Sequence, residues 1–336
     1  MVMSMKKALI VTLALLLVIL TGVSIYAYNM LDLLQKKTLK DPDSGTPISN
    51  DSKERREALG ISDKAPTQEE TGITNILLFG LDNRSKGEPG HSDTIMIASI
   101  DKVNKTIKLT SLMRDMYVPI PGKNDNRINT AYFKNGPALA IKTVNTNFNM
   151  NIEDYATVDF FALEKIINSV GGIPIEIKEA EVKVINQYID ELNKISKDNT
   201  ISLHISNSGL QTLDGRQAVA YSRIRYVGRD DFERTERQRR VMNELFKKGM
   251  SNGLSSLPDL AATILPDVET SLNKSEIIQL GVAILSFRKH EIEQFRIPVD
   301  GSFSNVYVGK MLVLKPDIEE NTKQLYEFIY GKKAKK

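Results

Sequence analysis

From residue 73 onward the chain alternates between short apolar runs and longer amphipathic stretches. ITNILLFG, residues 73–80, is an apolar run ending at Gly80 and predicts a buried strand. TIMIASI (94–100) and TIKLTSL (106–112) flank DKVNK and predict a hairpin pair. Gly136-Pro137 opens an amphipathic stretch that predicts a helix to about Met150. YATVDF predicts another strand, and FALEKIINSV a helix closed by Gly171-Gly172. IPIEI reads as a strand, and Glu179 to Ile195 as a charged helix. Leu213-Asp214-Gly215-Arg216-Gln217 carries a capping box and predicts a helix start, with an end near Ser222. Asp230 or Asp231 is expected to cap a further helix to about Met250. Helices near 252–262, 273–287 and 316–329, with EIEQFRIPV as a strand between them, complete the pattern. Strands and helices mixed throughout predict a three-layer α/β/α domain over 72–331 with a central mixed sheet.

Before residue 73 the pattern is different. Ala8 to Tyr28 is a run of 21 residues without a charge, following Lys6 and Lys7. As a helix it spans roughly 30 Å, the thickness of a bilayer core. Tyr26 and Tyr28 stand at its far end, where aromatic rings favour the interface. Ile25-Tyr26-Ala27 is a poor cleavage site, and the run is long for a signal peptide, so an uncleaved anchor is expected. The expected organisation is a cytoplasmic tail (1–7), an anchor (8–28), an extracytoplasmic linker (29–71), the domain, and a basic tail (332–336). Residues 38–71 are rich in Asp, Ser, Pro, Lys and Glu, which suggests a stalk with a short helix near Lys53 to Leu59.

Composition narrows the function classes. The net charge is +3, and the pI of about 8.7 lacks the strong basic excess of a nucleic-acid coat. No cysteine is present, which excludes disulfides and thiolate metal sites. There is no GxxxxGK[ST] or GxGxxG loop, so nucleotide-driven chemistry is not expected. His91, His204 and His290 do not fall at metal-ligand spacing.

Three constellations could carry chemistry. In GLDNRSKGEPGHSDT (80–94), Asp82 follows one strand and Asp93 precedes the next. Together they could hold one hard divalent cation, although on spacing alone they read as turn caps. Arg114-Asp115 ends the TIKLTSL strand, and by itself reads as an exposed ion pair. YSRIRYVGRDDFERTERQRR (221–240) holds seven arginines and four carboxylates. Arg223 and Arg225, two apart on an extended segment, would point the same way, and Arg234 and Gln238 would share a helix face. Guanidinium forks beside a helix N-terminus suit phosphate. A solvated helix laced with Glu233–Arg237 and Glu236–Arg240 pairs is the alternative, and it is the expectation for Arg237, Arg239 and Arg240.

LLFGLDNR, HSDTIMI, SLMRDMYVPIPG, RINTAY, VDFFALEKIINSVGGI, GLQTLDGRQAVAYSRIR and DDFERTERQ occur in this order over 73–245. In that ordered set the chain resembles the LytR–CpsA–Psr family of cell-wall proteins. The resemblance implies a membrane-anchored phosphotransferase facing the wall of a Gram-positive-type bacterium. It would move a wall teichoic acid or capsular polysaccharide from a polyprenyl (pyro)phosphate to peptidoglycan, with Mg²⁺ or Mn²⁺ assisting and no nucleic acid involved. Asp82 and Asp93 would be metal or catalytic carboxylates. Arg114, Arg223, Arg225 and Arg234 would hold phosphates, and Asp231 would orient them or act as base. Arg84, His91, Asp115, Arg127, Asn129 and Gln238 would contact substrate. This chain has His91-Ser92-Asp93 where many members have Arg-Ser-Asp, and Arg127-Ile128-Asn129 where many have Lys-Ile-Asn. The helices around Leu139 to Phe148 and Phe161 to Val170 are expected to line a lipid tunnel or simply to pack on the sheet. Three other readings are a lipid-pyrophosphate hydrolase, a non-catalytic wall-binding module, and a membrane-anchored regulator using 231–250 as a DNA-recognition helix.

Overall fold

A computed structural model describes residues 28–82, 91–196, 200–252, 257–287 and 291–331. The anchor expected at 8–28 and Arg84 lie outside them, except for Tyr28, as do the side chains of Asp82 and His91. Among the described residues no helix is long and apolar enough to cross a membrane.

A seven-stranded mixed sheet forms the centre. Its strands in chain order are β1 (Gln35–Lys36), β2 (Ile73–Asp82), β3 (His91–Asp101), β4 (Thr106–Leu112), β7 (Ile152–Asp159), β10 (Glu269–Thr270) and β11 (Ile292–Ile297). Their spatial order is β1-β10-β7-β2-β3-β4-β11. The predicted hairpin pair is β3 and β4, antiparallel with Ile97 opposite Thr110. Asp101 starts its turn by accepting from the Val103 and Asn104 amides. β7 runs parallel to β2, and β11 parallel to β4.

Alternation along each strand decides what covers each face. Leu77, Phe79, Ile95, Ile97 and Leu112 point to one side. There they pack on the helix α3 (Asn129–Phe148), through Leu139, Ile141 and Phe148, and on α10 (Ile318–Tyr330), through Leu325 and Ile329. The Gly136-Pro137 signal marks a kink inside α3 rather than its start, with Gly136 at φ 68. On the other side Ile76, Ile100 and Ile107 meet Leu280 and Phe287 around helix α9 (Lys274–Leu285). Further along that face stand α4 (Phe160–Ser169), α6 (Gly215–Arg223) and α7 (Asp231–Ser251).

A second core lies beyond them, built by Ile167 of α4, Val219 and Tyr221 of α6 and the inner face of α5 (Glu179–Ile195). Ile185, Ile189 and Leu192 recur at helical spacing, and each fully buried side chain contributes roughly 1.5–3 kcal/mol. IPIEI is a strand, β8 (Ile173–Ile177), but it leaves the main sheet to pair with β9 (Gly209–Leu213). The Asp214 capping box forms: its side chain accepts from the Gln217 amide while Gln217 Oε1 accepts from the Asp214 amide. Asp230 sits at the N-cap of α7, yet with φ 47 its side chain makes no cap.

The segment expected as a linker is part of the domain. β1 joins the sheet, and Leu39, Ile48, Leu59, Ile61 and Ala65 bury into the main core. Five small apolar insertions, spaced along a polar run, carry no periodicity that a stalk would lack. The short helix near Lys53 is present over Ser52–Ala58, capped by Asp51.

Candidate functional site

The site begins at the free ends of β2 and β3. Gly80 pairs with Thr94 but Leu81 with Ser92, so Asp93 is the extra residue of a bulge. A bulge re-aims side chains at a sheet end. Here it lets two consecutive residues, Asp93 and Thr94, line adjoining cavities.

Arg114 follows the neighbouring strand β4. Its Nη1 donates to Asp93 Oδ1, and its Nε lies 3.3 Å from Asp231 Oδ2. Asp231 is the first residue of α7. Its carboxylate also takes Arg234 Nη2 at 2.8 Å and stands 3.0 Å from Arg225 Nε. Arg223, the last residue of α6, pairs with Glu191 at 3.1 Å and stacks between the rings of Phe160 and Tyr188. These groups surround a polar pocket of about 230 Å³, with Gln238 also in its wall. The ends of β3, β4, α6 and the start of α7 thus converge on one point.

The pocket lining carries four arginines against Asp93 and Glu191, so cation is in excess. Burial works against the charge of Arg114, but Asp93, Asp231 and Asp115 outweigh it and hold its pKa above the ordinary value. Burial wins at Arg234, lowering its pKa despite Asp231, with Arg114 and Arg225 adding repulsion. Arg223 Nη1 and Arg234 Nε are buried with no hydrogen-bond acceptor among the described residues. Arg225 Nε and Asp231 Oδ1 are close but not aligned as a hydrogen bond. Unspent buried donors on charged groups are costly, and an anionic ligand would relieve them.

An apolar cavity of about 150 Å³ adjoins this pocket. Leu78, Met96, Ala156, Val158, Leu163 and Val241 line it, and Phe160 and Gln238 belong to both walls. Gly80 is needed here: a Cβ would come 2.9 Å from Thr94 Cβ. The cavity lies between the sheet and α4, as one of the expected tunnel helices implied. The other, Leu139 to Phe148, packs in the main core on the opposite face of the sheet.

The remaining sequence candidates occupy a supporting position. Arg127 Nε lies 3.2 Å from Asp115 Oδ1 and its Nη2 donates to the Leu312 carbonyl. The Asn129 amide donates to the Arg114 carbonyl at 3.4 Å. Asp115, Arg127 and Asn129 therefore brace the Arg114 segment. Sequence reasoning missed Phe160, Tyr188 and Glu191, since the last two sit on what read as an ordinary charged helix. Their three-residue spacing on α5, which places them on one face, was the available signal.

Two arginines expected on the surface are inside. Arg237, only 2% exposed, pairs with buried Glu181 at 2.8 Å and donates to the Ile224 and Val227 carbonyls. The expected Glu233 pair forms as well, at 3.0 Å. Arg239 is buried and donates to Ser111 Oγ; burial pulls its pKa down to about 10. Arg240 does pair with Glu236 at 3.1 Å, as the spacing suggested. Charge pattern alone could not see that α7 is packed on two sides.

The fold and pocket together define a protein with an arginine-rich polar pocket opening beside an apolar cavity. The chain matches the LytR_cpsA_psr family over residues 39–327, and it belongs to that family. It is 33% identical over 239 residues to regulatory protein MsrR of Staphylococcus aureus (strain COL), covering 70% of this chain and 67% of that protein. It is 30% identical over 299 residues to polyisoprenyl-teichoic acid–peptidoglycan teichoic acid transferase TagU of Bacillus cereus (strain ZK / E33L), covering 88% and 89%. Its fold is similar to that of YwtF (TagT) with bound octaprenyl pyrophosphate lipid, with a TM-score of 0.58 and 22% identity over 80% of this chain and 96% of that one.

Proposed function

We propose that this protein is a glycopolymer transferase that moves an anionic glycan from a polyprenyl pyrophosphate to peptidoglycan. The observation that carries the reading is the shared wall: Phe160 and Gln238 line both the arginine pocket and the apolar cavity. A polyprenyl pyrophosphate has that division, a doubly charged head joined directly to an apolar tail. The relatives support the chemistry, since TagU is named for teichoic acid transfer and the TagT structure holds a prenyl pyrophosphate.

In this reading Arg114, Arg223, Arg225 and Arg234 donate to the phosphate oxygens, replacing the contacts they now make with carboxylates. A peptidoglycan hydroxyl attacks the phosphorus nearer the glycan. The new P–O bond forms as the bond to the bridging oxygen breaks, the hydroxyl proton leaves, and polyprenyl phosphate remains. Such transfer asks little covalent work of the protein; positioning and charge neutralisation carry it. The energy is already present in the pyrophosphate, so no nucleotide is needed.

Mg²⁺, or Mn²⁺ in its place, would neutralise phosphate charge when bound. Asp82 and Asp93 are the residues to hold it. They sit at neighbouring ends of paired strands, Asp82 opposite His91 with Asp93 in the bulge, and they offer the hard oxygen donors this cation takes. Mg²⁺ commonly takes one or two carboxylates and completes its shell with waters and substrate oxygens.

The regulator reading is disfavoured by α7 itself. Arg234, Arg237 and Arg239 are buried, so the helix cannot present them to a DNA groove. The catalytic domain outside the membrane, tethered by residues 8–28, is the arrangement we propose.

Purified chain, lipid-linked glycan and Mg²⁺ incubated with peptidoglycan tests the reading. Glycan bound to sedimented wall is expected, and Arg223→Ala should abolish it. Release of free glycan phosphate with no wall attachment would replace the transferase by a hydrolase.

A further inference from the structure

Helix α9 carries an apolar face that no described residue covers. Eleven consecutive residues, Ile277 to Phe287, have no charge. Leu280, Ala283, Ile284 and Phe287 pack inward against the sheet. On the opposite side Ile278, Val282 and Leu285 are exposed, Val282 to 64%. They recur at i, i+4 and i+7 and form a single stripe. A surface helix ordinarily turns charge to water, and one that is apolar on both faces has a second apolar environment.

We propose that this stripe rests on the lipid bilayer and fixes how the domain stands on it. Two observations favour lipid over a protein partner. Lys274 lies one turn before Ile278 on the same face. Its ammonium stands 4.2 Å from the Tyr28 ring centroid and 2.5 Å from Asp32 Oδ1. Tyr28 is the last residue of the expected anchor, Ala8 to Tyr28. The stripe therefore starts where the chain meets its most apolar segment, so a bilayer entered there would lie alongside it.

The second observation is the position of the helix on the sheet. Along β2, Ile76 packs beneath α9, and Leu78 and Gly80 line the apolar cavity on the same face. A prenyl tail leaving the bilayer beside α9 would meet an apolar path toward the arginines. The inference rests on the anchored, lipid-linked reading above, and it adds the surface by which the domain meets the membrane.

The chain has no cysteine, so single labels can be placed cleanly. Full-length Val282→Cys, carrying an environment-sensitive fluorophore, is reconstituted in phosphatidylglycerol–cardiolipin vesicles with doxyl-labelled acyl chains. Tyr307→Cys, an exposed position on the hairpin 303–316, serves as reference. Ile278→Cys, one turn away, replaces Val282→Cys if that variant misfolds. Strong doxyl quenching at 282 and weak quenching at 307 is expected, with aqueous iodide giving the reverse order. Equal doxyl quenching at both sites in protein that floats with the vesicles would overturn the docking and leave the anchor standing. Shielding of 282 from both quenchers would overturn it in favour of a second copy or the N-terminal segment. Protein that does not float overturns the docking and the anchor together. None of these outcomes depends on glycan transfer, so the loss of that activity is read separately.

Discussion

Arg114 Nε lies 3.3 Å from Asp231 Oδ2, joining the end of a sheet strand to the first residue of a helix far along the chain. The same carboxylate holds Arg234 and faces Arg225. One acid therefore keeps three guanidinium groups from repelling one another. Asp231→Asn keeps the shape and removes the charge. It should lower unfolding stability by about 3 kcal/mol, because Arg234 would be left buried without its counter-ion. Added inorganic pyrophosphate should recover much of that loss by supplying the missing negative charge. Thermal unfolding with and without pyrophosphate measures both, and an unchanged Tm in each would rule out this role for Asp231.

Arg223 owes its position to a planar contact. Its guanidinium stacks 5.2 Å from the Phe160 centroid and 4.9 Å from that of Tyr188. Lysine keeps the charge but neither the plane nor the fork. Arg223→Lys should cut transfer on the order of 10²-fold, as removal of one aligned donor does, with little effect on folding. Rates on lipid-linked glycan, compared with the circular dichroism melt, check this.

Filling the apolar cavity should separate tail recognition from head recognition. Ala156 lines the cavity but not the arginine pocket. Ala156→Leu adds bulk where the tail is expected. Affinity for a long-chain prenyl pyrophosphate should fall by at least about tenfold, or about 1.4 kcal/mol. Affinity for inorganic pyrophosphate should not change. Calorimetric titration of both ligands gives the ratio, and an equal fall in both would show that the cavity is not the tail site.

Arg237 and Glu181 form a buried pair, each no more than 2% exposed. Arg237→Ala leaves the carboxylate buried and unpaired and should cost about 3–5 kcal/mol. It also removes the donors to the Ile224 and Val227 carbonyls that fasten the Arg225 segment. Urea midpoints should shift accordingly. A shift typical of a surface residue, within about 0.5 kcal/mol, would contradict the burial.

Alkaline pH should unfold the protein through its tyrosines. Burial raises the Tyr132 phenol to about 12, and burial raises Tyr155 and Tyr330 as well. The neutral phenol is favoured in the fold, so this contribution is complete below pH 10, the ordinary value. Above pH 10 the unfolded chain loses phenolic protons that the fold retains, and stability falls toward pH 12. Tm measured from pH 9 to 11.5 should drop, and Tyr132→Phe should make the drop shallower.

Much of the fold was legible because local rules and tertiary outcome agreed. The Asp214–Gln217 box started a helix where it stood, and Gly171-Gly172 ended one, since these signals act within a few residues. Leu39, Ile48 and Leu59 were not legible as core, because isolated apolar residues in a polar run have no period to declare their face. Arg237 and Arg239 misled for a related reason. The Glu233–Arg237 and Glu236–Arg240 spacings suggest a solvated helix, and nothing in them announces that Glu181 and Ser111 wait on other elements.

By itself the sequence supplied guanidinium forks at 114, 223, 225 and 234 and aspartates at two strand ends, and the phosphate role of the set is what the family resemblance implies. It also determined the uncharged run at 8–28, whose length matches a bilayer core. Tertiary structure decided that Arg114, Arg225 and Arg234 share one carboxylate, that a bulge turns Asp93 toward them, and that an apolar cavity opens behind Phe160. The division has a physical cause. Charge, capping and hydrophobic run length are properties of neighbours in the chain. Convergence of four element ends on one pocket depends on how a twisted sheet packs its layers, which no local stretch encodes.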